Sequence, residues 1–162
     1  MDAIVLLKND HKAVEKLFKE FEKAAKSGKA DPKAKAALVA EIIQELTTHT
    51  YIEETLFYPA VREGAPDTGD DVLESFEEHH MVVWMLSELG GLDPADETYD
   101  AKMRVLMENV RHHVGEEEQD LFPKVREAIG RKVLQQLGEQ MEQAKKDAPR
   151  DPLKVRSARA GV

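Results

Sequence analysis

Apolar residues recur along this chain at alternating steps of three and four, the spacing of helices that each bury one face. The first run extends from about Asp2 to Ala25. Ile4, Leu7, Val14, Phe18 and Phe21 form its stripe, and His11 falls on the same line. After the turn "SGKADP", Asp31 is placed as an N-cap and Pro32 as a first helical residue. The second helix carries Leu38, Ile42, Leu46, His49, Glu53 and Leu56 on one seam and reaches about Glu63. Pro59 removes a backbone donor within it and predicts a kink.

A third helix, about Asp70 to Leu89, aligns Phe76, His79, Val82, Leu86 and Leu89. Turning His80 inward instead gives the weaker seam Val72, Phe76, His80, Val83, Ser87, so His79 is assigned to the core face. The fourth seam is Met103, Leu106, Val110, His113, Glu117 and Leu121. Val133, Leu134, Leu137 and Met141 predict a short fifth helix, and the basic, aperiodic segment 147–162 reads as a flexible tail.

These elements form a duplication. "NDH" before one apolar helix answers "EEH" before another, and "EETLFYPAVREG" answers "EEQDLFPKVREAIG". Each half has only two helices and cannot bury its own seam. The expectation is therefore all-α: an up-down-up-down four-helix bundle over residues 1–128, with residues 129–146 packed on it as an extra helix.

Composition narrows the chemistry. The chain has 162 residues and no cysteine, which excludes disulfides and thiolate metal sites. A net charge of −9 argues against nucleic acid, and no apolar run is long enough to span a membrane. The start "MDAIVLLKNDH" lacks the character of a secretory signal, so a cytoplasmic location is expected.

All six histidines lie at 11, 49, 79/80 and 112/113, one place per helix, and each place can present an imidazole to the core. Glu53 and Glu117 follow His49 and His113 by four residues and share their faces. A lone buried histidine is ordinarily a satisfied core residue. Two buried carboxylates are different, since each costs several kcal/mol without a partner, and no lysine or arginine shares these seams. His11, His49, Glu53, His79, His113 and Glu117 are thus the candidate metal ligands. Aligning Pro59 with Pro123 selects His113 over His112, leaving His80, His112 and Glu116 as solvated neighbours. Nitrogen and oxygen donors suit iron, manganese, zinc or copper. Six ligands exceed one tetrahedral zinc but fit two octahedral ions bridged by Glu53 and Glu117, most naturally a di-iron centre.

These motifs resemble the hemerythrin family, specifically the HHE cation-binding domain. They are His11 in "NDHKAVEKLF", His49 and Glu53 in "HTYIEETLFYP", His79 in "EEHHMVVWML", and His113 and Glu117 in "HVGEEEQDLFP". The resemblance covers about Asp2 to Ala128. It implies a bundle holding two iron ions, bridged by carboxylates and an oxo or hydroxo group. The family's oxygen carriers have a further histidine four residues after the first on the third helix, and His-x-x-x-x-Asp on the fourth. Here Val83 stands at the first place, and Glu118 is the acid five after His113. One iron is then expected to have an extra open position, or to be completed by water or by a residue such as His80.

The resemblance implies dioxygen, peroxide or nitric oxide as small ligands. The missing histidine favours peroxide reactivity, including catalase-like decomposition, over reversible carriage. A non-enzymatic iron or oxygen sensor, stabilised by metal occupancy, is the alternative. The chain is expected to be a monomer or weak homo-oligomer. Met81, Met85, Met103 and Met107 read as core filler, and Tyr58 as a packing residue, with a hydroxyl reaching the site as the alternative; His80, His112 and Tyr58 are the candidate substitutes for the missing histidine.

Overall fold

The structure, a computed structural model, describes residues 1–156. Helix α1 spans Ala3–Ser27; Asp2 caps it by accepting from the Val5 N–H at 2.9 Å, and Gly28 ends it at φ 61°. Helix α2, Pro32–Ile52, starts on the Asp31 cap as expected. It continues through a π-helical turn, Glu53–Phe57, into α3, Tyr58–Gly64. Helix α4 is Gly69–Gly90, and α5, Tyr99–Glu116, passes through a second π turn, Glu117–Leu121, into α6, Phe122–Ala128. Four long rods result, α1, α2–α3, α4 and α5–α6, and short connections make successive rods antiparallel neighbours. No strand is present among the described residues.

At Pro59 the helix answers with a π turn. In an α-helix the proline ring would press on the carbonyl four residues back. Here the ladder widens by one residue, and the Tyr58 N–H bonds the Glu53 carbonyl. Phe122 and Glu117 repeat this before Pro123. Both π turns therefore open on a seam glutamate.

The core forms two apolar clusters. One gathers Leu7, Ile52, Phe57, Phe76, Leu121 and Phe122; the other gathers Val14, Leu46, Val82, Leu106 and Val110. Along each rod the inward histidine falls between a member of one cluster and a member of the other. A polar layer thus crosses the bundle at mid-height. Three seam assignments shift: Val39 is buried where Leu38 is half-buried, Phe57 is buried where Leu56 is half-buried, and Val133 is exposed. Met103 and Met107 are buried as expected, whereas Met81 is exposed.

The C-terminal part belongs to the same core. Helix α7, Arg131–Ala144, buries Leu134, Leu137 and Met141 in the first cluster and packs along α1. The expected tail differs over 147–156: Pro152 and Val155 are buried, and Arg156 Nη1 lies 2.6 Å from His80 Nε2. Valine and proline at the right spacing suffice to dock a short segment that lacks helical periodicity. Residues 157–162 lie outside the described residues.

Gly138 permits the close approach of α7 to the chain start. A Cβ there would overlap the Met1 carbonyl and stand 2.8 Å from the Ala3 nitrogen. Gly138→Ala is expected to destabilise the fold by about 1–3 kcal/mol, as overpacking does. Denaturant unfolding checks this, and an unchanged midpoint would show that α7 docks loosely.

Candidate metal centre

His11 from α1, His49 from α2, His79 from α4 and His113 from α5 are each buried and converge with Glu53 and Glu117 at the starts of the π turns. Their ligand-bearing atoms fall into two groups. His11, His49, Glu53 and Glu117 form one, and Glu53, His79 and His113 form the other. Glu53 belongs to both, with Oε1 3.2 Å from His49 Nε2 and Oε2 3.0 Å from His79 Nε2. Glu117 Oε1 reaches both halves, 3.5 Å from His11 Nε2 and 3.1 Å from His113 Nε2. Both carboxylates therefore stand between the histidine pairs.

The pairs have the geometry of cis ligands. His11 and His49 bring their Nε2 atoms to 3.2 Å, and His79 and His113 theirs to 3.1 Å. Two donors at about 2.1 Å from one ion and at right angles lie about 3.0 Å apart. Glu53 Oε1 and Glu117 Oε1 are buried without a hydrogen-bond partner despite these short distances. Orphaned carboxylate oxygens facing converging imidazole nitrogens suit a divalent cation, and no lysine or arginine reaches them among the described residues.

Behind every imidazole stands a further acid. His11 Nδ1 lies 2.8 Å from Glu118, His49 Nδ1 3.3 Å from Asp10, His79 Nδ1 3.3 Å from Glu54 and His113 Nδ1 2.9 Å from Glu78. The arrangement obeys the duplication. The residue before the histidine on α1 or α4 backs the histidine on the following rod. The residue after each seam glutamate backs a histidine of the other half. Such carboxylates orient a ligating imidazole and raise its basicity. Sequence reasoning did not assign them, although "DH", "EH" and the two "EE" pairs carried the signal.

Tyr58 packs in the first apolar cluster as expected, and its hydroxyl also reaches the site. Its hydroxyl donates to Glu117 Oε2 at 3.1 Å and stands 3.3 Å from Glu53 Oε2, His79 Nε2 and His113 Nε2. The π turn explains this. At 100° per residue, a position five beyond Glu53 in an α-helix lies about 140° around the axis. In the widened turn, positions five apart are hydrogen-bonded neighbours and stack. Phe122 is the equivalent in the other half, and its ring stacks on His11 at 5.9 Å. Each pair thus faces an aromatic ring, and the ring at the second pair carries a phenol hydroxyl. His80 and His112, the other substitutes considered, are exposed: His80 pairs with Arg156, and His112 lies 3.0 Å from Glu116.

Electrostatics follow from this crowding. Burial opposes the charge on His49, but Glu53 and Asp10 outweigh it and hold its pKa up to about 10. Burial likewise opposes charge on His79 and His113, and their carboxylate partners raise both. Burial would raise Glu117, yet His113 and His11 hold it well below the usual range. Tyr58 is pushed well up by burial and by Glu117 and Glu53, so its phenol stays protonated beside free carboxylates.

Raised histidines stabilise the metal-stripped protein fully below their ordinary 6.5, and His49 loses that contribution as pH climbs toward about 10. The lowered glutamate contributes above its ordinary 4.5 and loses it as pH falls. Chelator-treated protein should therefore melt higher at about pH 6 than at about pH 9. Metal uptake should strengthen over the same rise, because bound protons must leave first. Thermal melts with and without added metal check both; a metal-stripped Tm that rises across this window contradicts the charge pairing.

Comparison with known proteins agrees with this geometry. The sequence profile of the Hemerythrin HHE cation binding domain matches residues 2–125. A solved crystal structure, that of a hemerythrin HHE cation binding domain-containing protein from Mycobacterium kansasii, is 26% identical. It aligns with a TM-score of 0.73 over 91% of this chain and 86% of its own. A DNA nickase of Nostoc sp. is 26% identical over 140 residues, which is 86% of this chain but 38% of that protein. With most of its length matched by the family profile, the chain belongs to the hemerythrin family of HHE cation-binding domains.

Proposed function

We propose that this protein holds two iron ions and uses them, in the cytoplasm, to bind dioxygen or react with peroxide, with peroxide turnover favoured over reversible carriage. The observation that carries the reading is a small, mostly apolar cavity of about 20 Å³ lined by all four histidines together with Val14, Leu46, Thr50, Val82, Val110 and Val114. A space of that size admits one water-sized or diatomic molecule and excludes larger substrates. His11 and His49 would hold one ion and His79 and His113 the other, with Glu53 and Glu117 shared. When bound, iron supplies the electrons and open positions that dioxygen, peroxide or nitric oxide chemistry requires.

The chain's own groups divide the remaining work. The valines and Leu46 keep bulk water from one side of the polar layer. Tyr58 approaches from the side of the other apolar cluster and holds a proton at Oη, 3.1 Å from Glu117. It stands at the second histidine pair, where buried Val83 brings no donor. A proton source next to the centre favours breaking the peroxide O–O bond over protecting a bound oxygen molecule. The nicking activity in the relative's name is not carried over, since this chain spans 38% of that protein and a net charge of −9 opposes a phosphate backbone.

Replacing His49 and Glu53 together by alanine is expected to abolish stoichiometric iron binding and peroxide decomposition. Retention of two irons per chain sinks the assignment. Tyr58→Phe, which copies the Phe122 side, should keep both irons but lower peroxide turnover by about 100-fold, as removal of a general acid does. Unchanged oxygen evolution would reduce the hydroxyl to a packing role.

A further inference from the structure

The His-x-x-x-Glu pair that the centre does not use, His112 and Glu116, has a counterpart across the helix interface. His112 Nε2 lies 3.0 Å from Glu116 Oε1 and 4.0 Å from Glu78 Oε2, and one ligand atom from each residue falls within 4.8 Å of the others. Such separations match cis and trans donors around one first-row divalent ion, about 3.0 and 4.2 Å apart at 2.1 Å bonds. His112 is exposed, and Glu78 and Glu116 are half-buried, so water can fill the remaining positions.

A second observation lies immediately inward. Glu116 also lines a cavity of about 70 Å³ between α4 and the second π turn. Exposed Glu74 and Asp120 stand at its outer part with half-buried Asp71, which is paired to Lys124 at 2.9 Å. Its deep wall includes buried Ser75 and Glu117, the shared carboxylate whose Oε1 has no hydrogen-bond partner. The cavity therefore joins the surface cluster, through Glu116, to a residue of the buried centre.

We propose that Glu78, His112 and Glu116 form a third, surface site for a divalent metal cation, and that the acidic cavity passes the ion from there to Glu117. This rests on the reading of the buried centre as a metal site and adds how it fills. An acidic funnel raises the local cation concentration, and exchangeable ligands on an exposed imidazole let the ion move on. Glu78 also backs His113, so it links the two sites mechanically. The site is one of transit: loss of His112 slows filling without changing the final content of the centre.

The test uses full-length, metal-stripped protein mixed anaerobically with ferrous iron, following both loading rate and final stoichiometry. His112→Ala, on an exposed position, and the double variant Glu74→Gln/Asp120→Asn are each expected to slow loading at least about tenfold while reaching the same two irons. Neutralising exposed Glu139 on α7 should leave the rate unchanged. Titration of the iron-loaded protein with cobalt(II) should show one further, weaker equivalent that His112→Ala removes. Equal loading rates in wild type and both variants, or no further equivalent, overturn the proposal while leaving the buried centre intact. Failure of wild type to take up iron at all overturns the reading of the centre itself.

Discussion

Two carboxylates buried in the middle of an apolar bundle are the constraint on which this structure turns. Glu53 and Glu117 are at most 1% exposed and have no lysine or arginine within reach among the described residues; imidazole nitrogens surround them instead. Each would cost several kcal/mol if left uncompensated. A shared cation removes that cost for both at once, and it draws a donor from every long rod. Bundle assembly and metal binding are then one equilibrium: the ion stabilises the crossing of four rods that otherwise meet at an imperfectly satisfied polar layer.

Duplication makes the arrangement economical. Each half supplies two histidines, one seam glutamate, one proline and two backing acids, and each half's backing acid after the glutamate serves the other half. The halves are therefore interlocked electrostatically as well as by their apolar seams. A chemical inequality between them at the centre is Tyr58 against Phe122. A nearly symmetric scaffold thus presents one proton-bearing side and one bare side, which is the asymmetry that a reaction, as opposed to storage of an ion, can use.

What the sequence made legible depended on the period being 3.6. The stripe through His11, His49, His79 and His113 put the four histidines and the two glutamates on inward faces, and the structure buries all six. It also separated them from His80 and His112. The sequence left two readings open where the period changed: the π turn brings Tyr58 back onto the site face, where a helical wheel points it away. The acids behind the imidazoles were hidden for another reason. Asp10, Glu54, Glu78 and Glu118 reach the histidines of neighbouring rods, a relation that no single helix displays. The docking of Pro152 and Val155 was missed because a segment without periodicity can still bury two well-placed side chains.

A polar layer of four histidines and two carboxylates between two apolar clusters is the arrangement on which the proposed chemistry of small oxygen species rests. Iron in two positions is the claim that the rest of the account needs. Anomalous diffraction at the iron edge from iron-loaded crystals tests it directly. The account predicts two peaks in the polar layer, one nearest His11 and His49 and the other nearest His79 and His113, with Glu53 and Glu117 between them. A single peak, or none inside the bundle, contradicts it.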